Sequence, residues 1–293
     1  MMEKIKKLAK IALESGRDYS GIETIKKIQG GSINEAFYIR TVDAEFFMKF
    51  HANSPKEFFK SEALGLRLIK ETETISVPNY ISYSDQPGHA FLLLEWIEGK
   101  KTERTEEILG YKLAELHKCY GRMHGLETDT YIGILPQPNE LNANWLEYYR
   151  DKRLGTQLQI GIENGHITDK RRKQLEKLLE RLDKWVPSFV EPSHLHGDFY
   201  SGNWIVGQGG EPFIVDPSFL YGDRHFEIAF TELFGGFPDK FYDAYDESYP
   251  LRKDFDDVKP IYQLYYLLAH LNMFGEAYGE SVDKILNRYV GDI

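Results

Sequence analysis

One stretch late in the chain constrains the fold more than any other. Residues 194–203 carry an Asp two positions after His196 and an Asn five positions after that Asp, and the apolar segment 213–215 leads directly into Asp216. This is the H-x-D-x-x-x-x-N spacing of a phosphotransferase catalytic loop, followed by its strand-end Asp. A polar turn between two strands would also carry an isolated H-x-D. The combination with Asn203 and Asp216 is much more specific and favours a catalytic role.

The chemistry of phosphoryl transfer explains why these residue types stand at these distances. Transfer to an alcohol needs a carboxylate beside the attacking hydroxyl and a divalent metal that spreads the charge of the phosphate. Asp198 is the candidate that orients the hydroxyl and accepts its proton. Asn203 and Asp216 offer hard oxygen ligands, which suit Mg²⁺. Gly197 and Gly202 allow the tight backbone that would present these groups.

A glycine-rich turn occurs near the start of the chain, where a nucleotide site needs one. Gly30, Gly31 and Ser32 stand between strands predicted over 21–28 and 35–40. Backbone N–H groups in such a turn can approach phosphates. The same residues are also common in an ordinary hairpin, so the turn alone is weak support for nucleotide binding.

A lysine and a glutamate follow in the order that a kinase requires. Lys49 stands inside the apolar strand predicted over 45–51, and Glu62 stands in the helix predicted from 55 to about 71. Each of them alone could be a solvated surface residue. With Asp198 downstream, the two predict the ion pair that positions nucleotide phosphates.

A buried strand predicted over 91–97 leads into a polar run at 99–107, which reads as a hinge. A nucleotide base can form hydrogen bonds with the exposed backbone of such a hinge. We expect Glu95, Trp96 and Ile97 to bind the base through their main chain.

The chain changes character at this hinge. Residues 1–97 are predicted as a small β-rich N-lobe with one key helix, and residues 98–293 as a larger, mainly helical C-lobe, so the fold class is α+β. The proline-containing segment 131–139 is predicted as a loop. Outside the N-lobe key helix, helices are predicted over 2–14, 108–119, 142–160, 168–186, 224–234, 238–246, 257–274 and 280–289.

Composition excludes several classes of partner. The formal net charge is −10 over 293 residues, with a pI near 5.5, which disfavours general binding to nucleic acid or to an anionic membrane surface. The single cysteine, Cys119, cannot form an intrachain disulfide, which fits a reducing compartment. No apolar run reaches transmembrane length and the first residues lack a signal-peptide core, so we expect a cytoplasmic protein.

Four further segments resemble one known family. Segment 131–137 looks like the Gly-Leu-Pro-Gln loop of the fructosamine kinase (ketosamine 3-kinase) family, and segment 216–224 looks like its D-P-A-x-Y-Y-G-H-R motif. Segments 231–238 and 267–275 look like two more of its signatures. That family lies within the aminoglycoside phosphotransferase and choline kinase group, which has a protein-kinase-like bilobal fold. The resemblance covers nearly the whole chain.

The resemblance implies ATP-dependent phosphorylation of the sugar 3-hydroxyl of ketosamines, a deglycation repair reaction with Mg²⁺ as cofactor. By motif position, Asp198 would be the proton acceptor, Asn203 and Asp216 the metal ligands, and Lys49 with Glu62 the phosphate-positioning pair. The acceptor would be a ketosamine on a small molecule or on a protein, and a monomer is favoured.

The resemblance also implies substrate contacts at Tyr200, His270 and Asn272. Tyr200 stands where the family often has Trp, and Ser32 stands near the place where some members carry Cys, so a disulfide switch there is impossible in this chain. Residues 223 and 225–226 also differ from the usual family residues. From similarity to bacterial-type members, we expect ribulosamine or erythrulosamine to be better substrates than fructosamine.

Other functions stay open at this point. A kinase for an aminoglycoside, choline or another small alcohol would use the same catalytic parts. A catalytically silent nucleotide-binding protein would be expected to lack at least one of Lys49, Asp198, Asn203 and Asp216, and all four are present. A protein kinase would be expected to carry an activation loop with a phosphosite, and no segment after Asp216 has that character.

Overall fold

The computed structural model describes residues 2–29 and 33–291. The elements of its N-lobe are α1 (Met2–Ser15), β1 (Ile22–Ile28), β2 (Glu35–Thr41), β3 (Glu45–His51), α2 (Phe58–Lys70), β4 (Tyr80–Ser84) and β5 (Ala90–Glu95). The strands form one antiparallel sheet in the order β1-β2-β3-β5-β4. Helix α1 packs on one face of this sheet and α2 packs on the other.

The alternation of side chains along a strand determines which face Lys49 occupies. On β5, Leu93 belongs to the apolar cluster beneath α1, whereas Leu92 belongs to the cluster shared with α2. On β3, Met48 and Phe50 belong to the cluster beneath α1. Because successive side chains of a strand point to opposite faces, Lys49 must lie on the α2 face. Lys49 is paired with Leu92 across the sheet, which lies on that same face.

The C-lobe is mainly helical, with short strand pairs. Its elements are α3 (Thr105–His117), β6 (Thr130–Ile132), β7 (Leu135–Gln137), α4 (Trp145–Tyr148), α5 (Thr156–Glu163), α6 (Asp169–Leu179), β8 (Ser193–Leu195), β9 (Trp204–Val206), β10 (Pro212–Ile214), β11 (Leu220–Gly222), α7 (Arg224–Thr231), α8 (Asp239–Ser248), α9 (Phe255–Phe274) and α10 (Gly279–Val290). A π-helical segment, Tyr149–Gly155, joins α4 to α5.

Two antiparallel strand pairs place the catalytic loop. Strand β8 pairs with β11, and β9 pairs with β10. The loop 196–203 therefore leaves one pair and enters the other, and β10 delivers Asp216 two residues after its last residue, Ile214. The motif residues that are far apart in sequence converge because the two pairs lie side by side.

Three predictions of secondary structure were wrong in detail. The segment 131–139 is not a plain loop but forms the hairpin β6–β7, in which Tyr131 lies opposite Pro136; a two-stranded hairpin tolerates a proline that lacks an N–H. The helix predicted over 142–160 is divided by the π-helical segment, because apolar spacing does not distinguish α from π turns. Helix α6 ends at Leu179, earlier than predicted. No helix within residues 2–29 and 33–291 combines the length and the apolar character that spanning a bilayer requires.

Candidate active site

Backbone hydrogen bonds fasten the catalytic loop to the segment around Asp216. The Val215 N–H donates to the Asn203 carbonyl (3.0 Å), and the Ser218 N–H donates to the His196 carbonyl (2.8 Å). Gly197 lies at this crossing with φ of 84°, and a Cβ there would come within 2.0 Å of the Ser218 carbonyl oxygen. Only glycine fits this close approach of two backbones.

Lys49 connects the N-lobe to the catalytic segment. Its Nζ lies 2.6 Å from Glu62 Oε1 and 2.6 Å from Asp216 Oδ1. Burial lowers the pKa of Lys49, but the two carboxylates outweigh this effect, so the pKa lies above its ordinary value. Burial raises the pKa of Glu62, and Lys49 opposes that rise. Asp216 has φ of 62°, a left-handed conformation that is uncommon and strained for a residue other than glycine and often marks a functional site.

The side chains of Asp198 and Asn203 form a direct contact. The Asn203 amide nitrogen donates to the Asp198 carbonyl (2.8 Å) and to its carboxylate Oδ2 (3.1 Å). This leaves the amide oxygen of Asn203 as the atom that can bind a cation. Burial, together with the charge of Asp216, raises the pKa of Asp198 well above its usual range, and the hydrogen bond from Asn203 opposes the rise.

A buried carboxylate supports the catalytic loop from behind. Glu227 is fully buried and accepts hydrogen bonds from the backbone N–H groups of His196 and Gly197. Its Oε1 also lies 2.9 Å from Nε2 of His117, whose Nδ1 lies 2.7 Å from the Tyr245 hydroxyl. The carboxylate therefore holds the two residues that precede Asp198 in the loop.

Helix α2, which carries Glu62, is capped by a residue from outside the helix. Asp85, in the turn between β4 and β5, accepts from the backbone N–H groups of Phe59 (2.8 Å) and Lys60 (3.0 Å). These are first-turn N–H groups, which have no partner within a helix. The cap fixes the start of α2 and therefore the position from which Glu62 reaches Lys49.

The β6–β7 hairpin bridges the two lobes beside the site. The Tyr131 hydroxyl donates to the Lys56 carbonyl (2.7 Å), and its ring packs edge-on against Phe58, with centroids 5.3 Å apart. The Tyr131 carbonyl accepts from the Ser218 hydroxyl. The hairpin thus contacts both the beginning of α2 and the segment that follows Asp216.

Two cavities meet at Asp216. The larger, of about 370 Å³, contains Lys49, Glu62, Asp198, Asn203 and Asp216 in its wall. The smaller, of about 180 Å³, is apolar and lies under the hinge. Both have Phe47, Ile205, Val215 and Asp216 in their walls, so they lie next to each other. The smaller cavity is lined by Ile28, Phe47, Pro78, Leu94, Glu95, Trp96, Ile97, Ile205, Val215 and Asp216.

The three predicted hinge residues differ in whether their backbone N–H groups already have an acceptor. The Glu95 N–H donates to the Asn79 carbonyl (3.0 Å) and the Trp96 N–H to the Glu45 carbonyl (3.2 Å). The Glu95 carboxylate accepts from the backbone and side-chain nitrogens of Asn79, so this side chain is held within the protein. Within the described chain, the Ile97 N–H is the one hinge donor of these three without a backbone acceptor.

Of the three predicted substrate residues, one lines the larger cavity and two do not. Tyr200 lines the larger cavity, and its ring lies across Gly202, where a Cβ would be 2.5 Å from a ring carbon. His270 is bonded through Nδ1 to the Tyr266 carbonyl (2.8 Å) and lies outside the cavity lining. Asn272 is buried and donates to both oxygens of Gln157 at 2.9 Å, so the structure does not bring it to the cavity.

The sequence also predicts a phosphate-binding turn and a metal site. Gly30, Gly31 and Ser32 lie outside the described residues. In the part of the chain that is described, no group of three His, Cys, Asp or Glu side chains could hold a metal. Asn203 and Asp216 instead fit a cation whose remaining ligands are phosphate and water oxygens, as is usual for Mg²⁺.

Sequence reasoning missed Glu227, Asp85 and Tyr131. One signal pointed to Glu227: it is the single charged residue in the otherwise apolar run 226–230. The roles of Asp85 and Tyr131 depend on contacts between distant segments, and neither residue stands out in its local sequence.

The two-lobed α+β fold, together with the cluster of two aspartates, an asparagine and a paired lysine, defines a phosphotransferase of the kinase-like class. The profile of the fructosamine kinase family matches residues 1–292. The chain belongs to the fructosamine kinase family, and it is a kinase.

Relatives and solved structures agree with this assignment. The chain is 39% identical over 263 residues to a "probable ketoamine kinase" of Enterococcus faecium, covering 89% of this chain and 94% of the relative. It is 33% identical over 275 residues to a chloroplastic protein-ribulosamine 3-kinase of Arabidopsis thaliana, covering 92% and 83%. A "putative fructosamine-3-kinase" from Haemophilus somnus superposes with a TM-score of 0.87 at 31% identity, covering 99% and 98%. A choline kinase from Streptococcus pneumoniae, at 15% identity and a TM-score of 0.64 over 97% of this chain and 99% of the other, shares the fold.

Proposed function

We propose that this protein is an ATP-dependent ketosamine kinase that phosphorylates the sugar 3-hydroxyl and thereby starts the removal of a sugar from an amine. One observation carries the proposal: the side chains that the kinase motifs predict to act together line one cavity. These are Lys49, Glu62, Asp198, Asn203 and Asp216. The names of the family and of the relatives supply the substrate class.

The nucleotide would occupy the two adjoining cavities. The apolar smaller cavity suits an adenine ring, with the Ile97 N–H as the available hinge donor. Lys49, held by Glu62, would contact the phosphates. Asn203 and Asp216 would hold Mg²⁺, which when bound neutralises phosphate charge. Gly30, Gly31 and Ser32 are proposed to cover the phosphates through their backbone N–H groups.

Asp198 would orient the sugar hydroxyl and accept its proton. Its carboxylate is held by the Asn203 amide and stands on a loop that Glu227 fixes from behind. A positioned general base of this kind is worth roughly 10²–10⁴-fold in rate.

Tyr200 is the residue that we propose to contact the sugar, because it lines the cavity beside Asp198. His270 stands farther from the centre, and the buried position of Asn272 supports a packing role between α9 and α5. We further propose that ribulosamine or erythrulosamine is preferred over fructosamine, that the carrier is a small molecule or a protein, and that the enzyme is a cytoplasmic monomer.

The deciding experiment measures ADP release with ribulosyl-, erythrulosyl- and fructosyl-lysine, with choline and kanamycin as alternative acceptors. We expect turnover with the ketosamines, loss of that turnover in Asp198→Asn, and none with the two controls. Turnover of choline or kanamycin alone would replace the proposed function by that of a different small-alcohol kinase. A higher kcat/KM for fructosyl-lysine than for the two shorter sugars would overturn only the sugar preference. Size-exclusion chromatography with light scattering tests the monomer.

A further inference from the structure

Four aromatic rings gather at the C-terminal end of α9. They belong to Phe234, His270, Phe274 and Tyr278, and we call them the four-ring surface. The His270 ring centroid lies 4.7 Å from that of Phe234, 5.7 Å from that of Phe274 and 5.0 Å from that of Tyr278. Phe274 is 50% exposed, although it lies among three other rings. Exposed apolar surface that is grouped in this way is typical of a binding site.

The four-ring surface is connected to the cavity that contains Asp198. The ring of Tyr200, which lines that cavity, lies 5.8 Å from Phe230, and Phe230 lies 5.8 Å from Phe234. Because Phe230 is buried, these ring contacts run through the core and join the four-ring surface to the wall of the cavity.

A second connection runs along and beside α9. The Tyr266 hydroxyl donates to the Gly197 carbonyl (3.0 Å), and eight residues of helix, a rise of about 12 Å, separate Tyr266 from Phe274 on the same side of α9. Gly133, in the cavity wall, packs against Met273, since a Cβ on Gly133 would lie 2.5 Å from the Met273 sulfur. The surface thus extends the site outward from the catalytic loop.

The charge around the four-ring surface is negative. The segments 230–239 and 270–280, which carry its rings, contain four carboxylates and no Lys or Arg. Two of these carboxylates are paired with cations from other segments, Glu276 with Arg171 and Glu232 with Lys259, so the negative charge rests on Asp239 and on Glu280, which is exposed at the start of α10. Burial lowers the pKa of His270, so its ring is neutral near pH 7. Rings next to carboxylates attract a cation and disfavour an anion. The four carboxylates are Glu232, Asp239, Glu276 and Glu280.

We propose that the four-ring surface is the subsite for the amine carrier of the substrate, an inference that rests on the proposed function. Its occupant is an alkyl or aralkyl ammonium compound whose hydrocarbon stem packs on Phe274 and Phe234. The linking ammonium group lies between the sugar site and the rings. A lysine side chain in a peptide has this chemistry, because its apolar stem ends in a cation. A carrier that places a carboxylate on the rings is disfavoured.

The first test compares carriers on one sugar, chosen as the best of the three ketoses. The carriers are methylamine, butylamine, benzylamine and 4-aminobutyrate. We expect the butylamine and benzylamine adducts to exceed the other two by about tenfold in kcat/KM, from apolar contact and cation–π attraction. Phe274→Ala should remove about five- to tenfold of this advantage through KM, and Phe274→Tyr should restore most of it. The methylamine adduct should change by less than about twofold, as for a surface substitution.

The matched control is Phe189→Ala, because Phe189 is a second exposed C-lobe phenylalanine, 82% exposed and distant in sequence from α9. It should leave all four carriers unchanged. Equal losses on every carrier in Phe274→Ala, or wild-type rates that do not depend on the carrier, overturn the proposal.

A second test needs no turnover. Fluorine NMR of free 4-fluorobenzylammonium should show binding to the wild type and to Phe189→Ala, and loss of that binding in Phe274→Ala. Equal binding to all three proteins overturns the subsite. If the probe binds as expected but no ketosamine is phosphorylated, the proposed function fails while the amine-binding surface stands.

Discussion

The two lobes hold their reactive side chains by different means. In the N-lobe, Lys49 is presented by the alternation of a strand between two apolar clusters and is held by ion pairs with Glu62 and Asp216. In the C-lobe, the loop that carries Asp198 is held by hydrogen bonds from its backbone to buried polar groups, above all to Glu227. The N-lobe therefore depends on apolar packing and on the two ion pairs of one lysine, whereas the C-lobe depends on a network of hydrogen bonds.

Because of this difference, substitutions in the two lobes should have different effects on stability and turnover. A network in a low-dielectric interior leaves several groups unpaired when one member is removed, whereas an apolar cluster loses mainly the contacts of the altered side chain. We therefore expect substitutions in the C-lobe network to affect stability and turnover together. Substitutions around Lys49 should affect chiefly the use of ATP.

The largest expected effect belongs to the C-lobe. Asp198→Asn should keep the fold, since the side chains have the same shape, and should lower kcat by roughly 10²–10⁴-fold because the amide cannot accept a proton. Steady-state ADP release with a ketosamine acceptor measures the change, and a thermal melt checks the fold. A folded variant with near-normal kcat would refute the role of Asp198.

The next effect belongs to the N-lobe. Lys49→Met keeps the length of the side chain but removes its charge, and kcat/KM for ATP should fall by about 10²–10³-fold, as for loss of one positioned electrostatic group. Glu62→Gln should lose less. The double variant should resemble Lys49→Met alone, because the second change acts through the first. Additive losses would show that Lys49 and Glu62 do not act as a pair.

Glu227→Gln tests the network directly. The amide replaces one acceptor of the loop N–H groups by a donor, so we expect a loss of about 2 kcal/mol of stability and a ten- to hundredfold lower kcat. The KM for ATP should change little. Glu247→Gln is the matched control, because it makes the same change at an exposed glutamate of α8, another helix of the C-lobe. If both variants behave alike, the network does not position Asp198.

Tyr200→Trp should have a smaller and more selective effect. The larger ring lacks the hydroxyl, so the ranking of ribulosyl-, erythrulosyl- and fructosyl-lysine should change by up to about tenfold, while the KM for ATP stays constant. Side-by-side kcat/KM values for the three sugars measure this. An equal change for all three would mean that Tyr200 does not distinguish sugars.

The smallest expected effect is on stability and concerns His124, a buried residue of the C-lobe whose contribution changes only at acid pH. Burial lowers the pKa of His124 to about 4, from an ordinary value near 6.5. The folded state binds fewer protons than the unfolded state, so stability is constant above about pH 6.5 and falls by up to about 3 kcal/mol as the pH drops to about 4. Urea unfolding of His124→Gln against the wild type, between pH 7 and pH 4, should show a shallower slope for the variant. Parallel slopes would contradict this.

Part of the active site could be predicted from the sequence, and part of it could not. The face occupied by Lys49 follows from the period of a strand, and the loop of Asp198 follows from a fixed spacing. Glu227 and Asp85 act on backbone N–H groups 25 to 31 residues away in the chain, so no local pattern reveals them. Asn272 shows the reverse case. A motif position suggested a substrate contact, but Gln157 lies close enough to bind its amide.

The π-helical segment and the β6–β7 hairpin were missed for a related reason. Apolar spacing predicts that a segment is helical but not how tightly it winds. Prolines within 131–139 predicted a break, yet Pro136 takes a strand position that needs no N–H. In both cases the backbone conformation is set by contacts with neighbouring segments rather than by local propensity.

The bridging hairpin described beside the site has a consequence for cooperativity. Tyr131 contacts Lys56 and Phe58 in one lobe and Ser218 in the other, so neither lobe can melt without breaking these bonds. Two lobes joined only by a hinge would be expected to unfold as separate units. Here calorimetry should record a single transition. Tyr131→Ala removes the hydroxyl and the ring that contact the N-lobe but keeps the carbonyl that Ser218 binds, so it should lower the temperature of that transition without dividing it, because Lys49 and Asp216 still join the lobes.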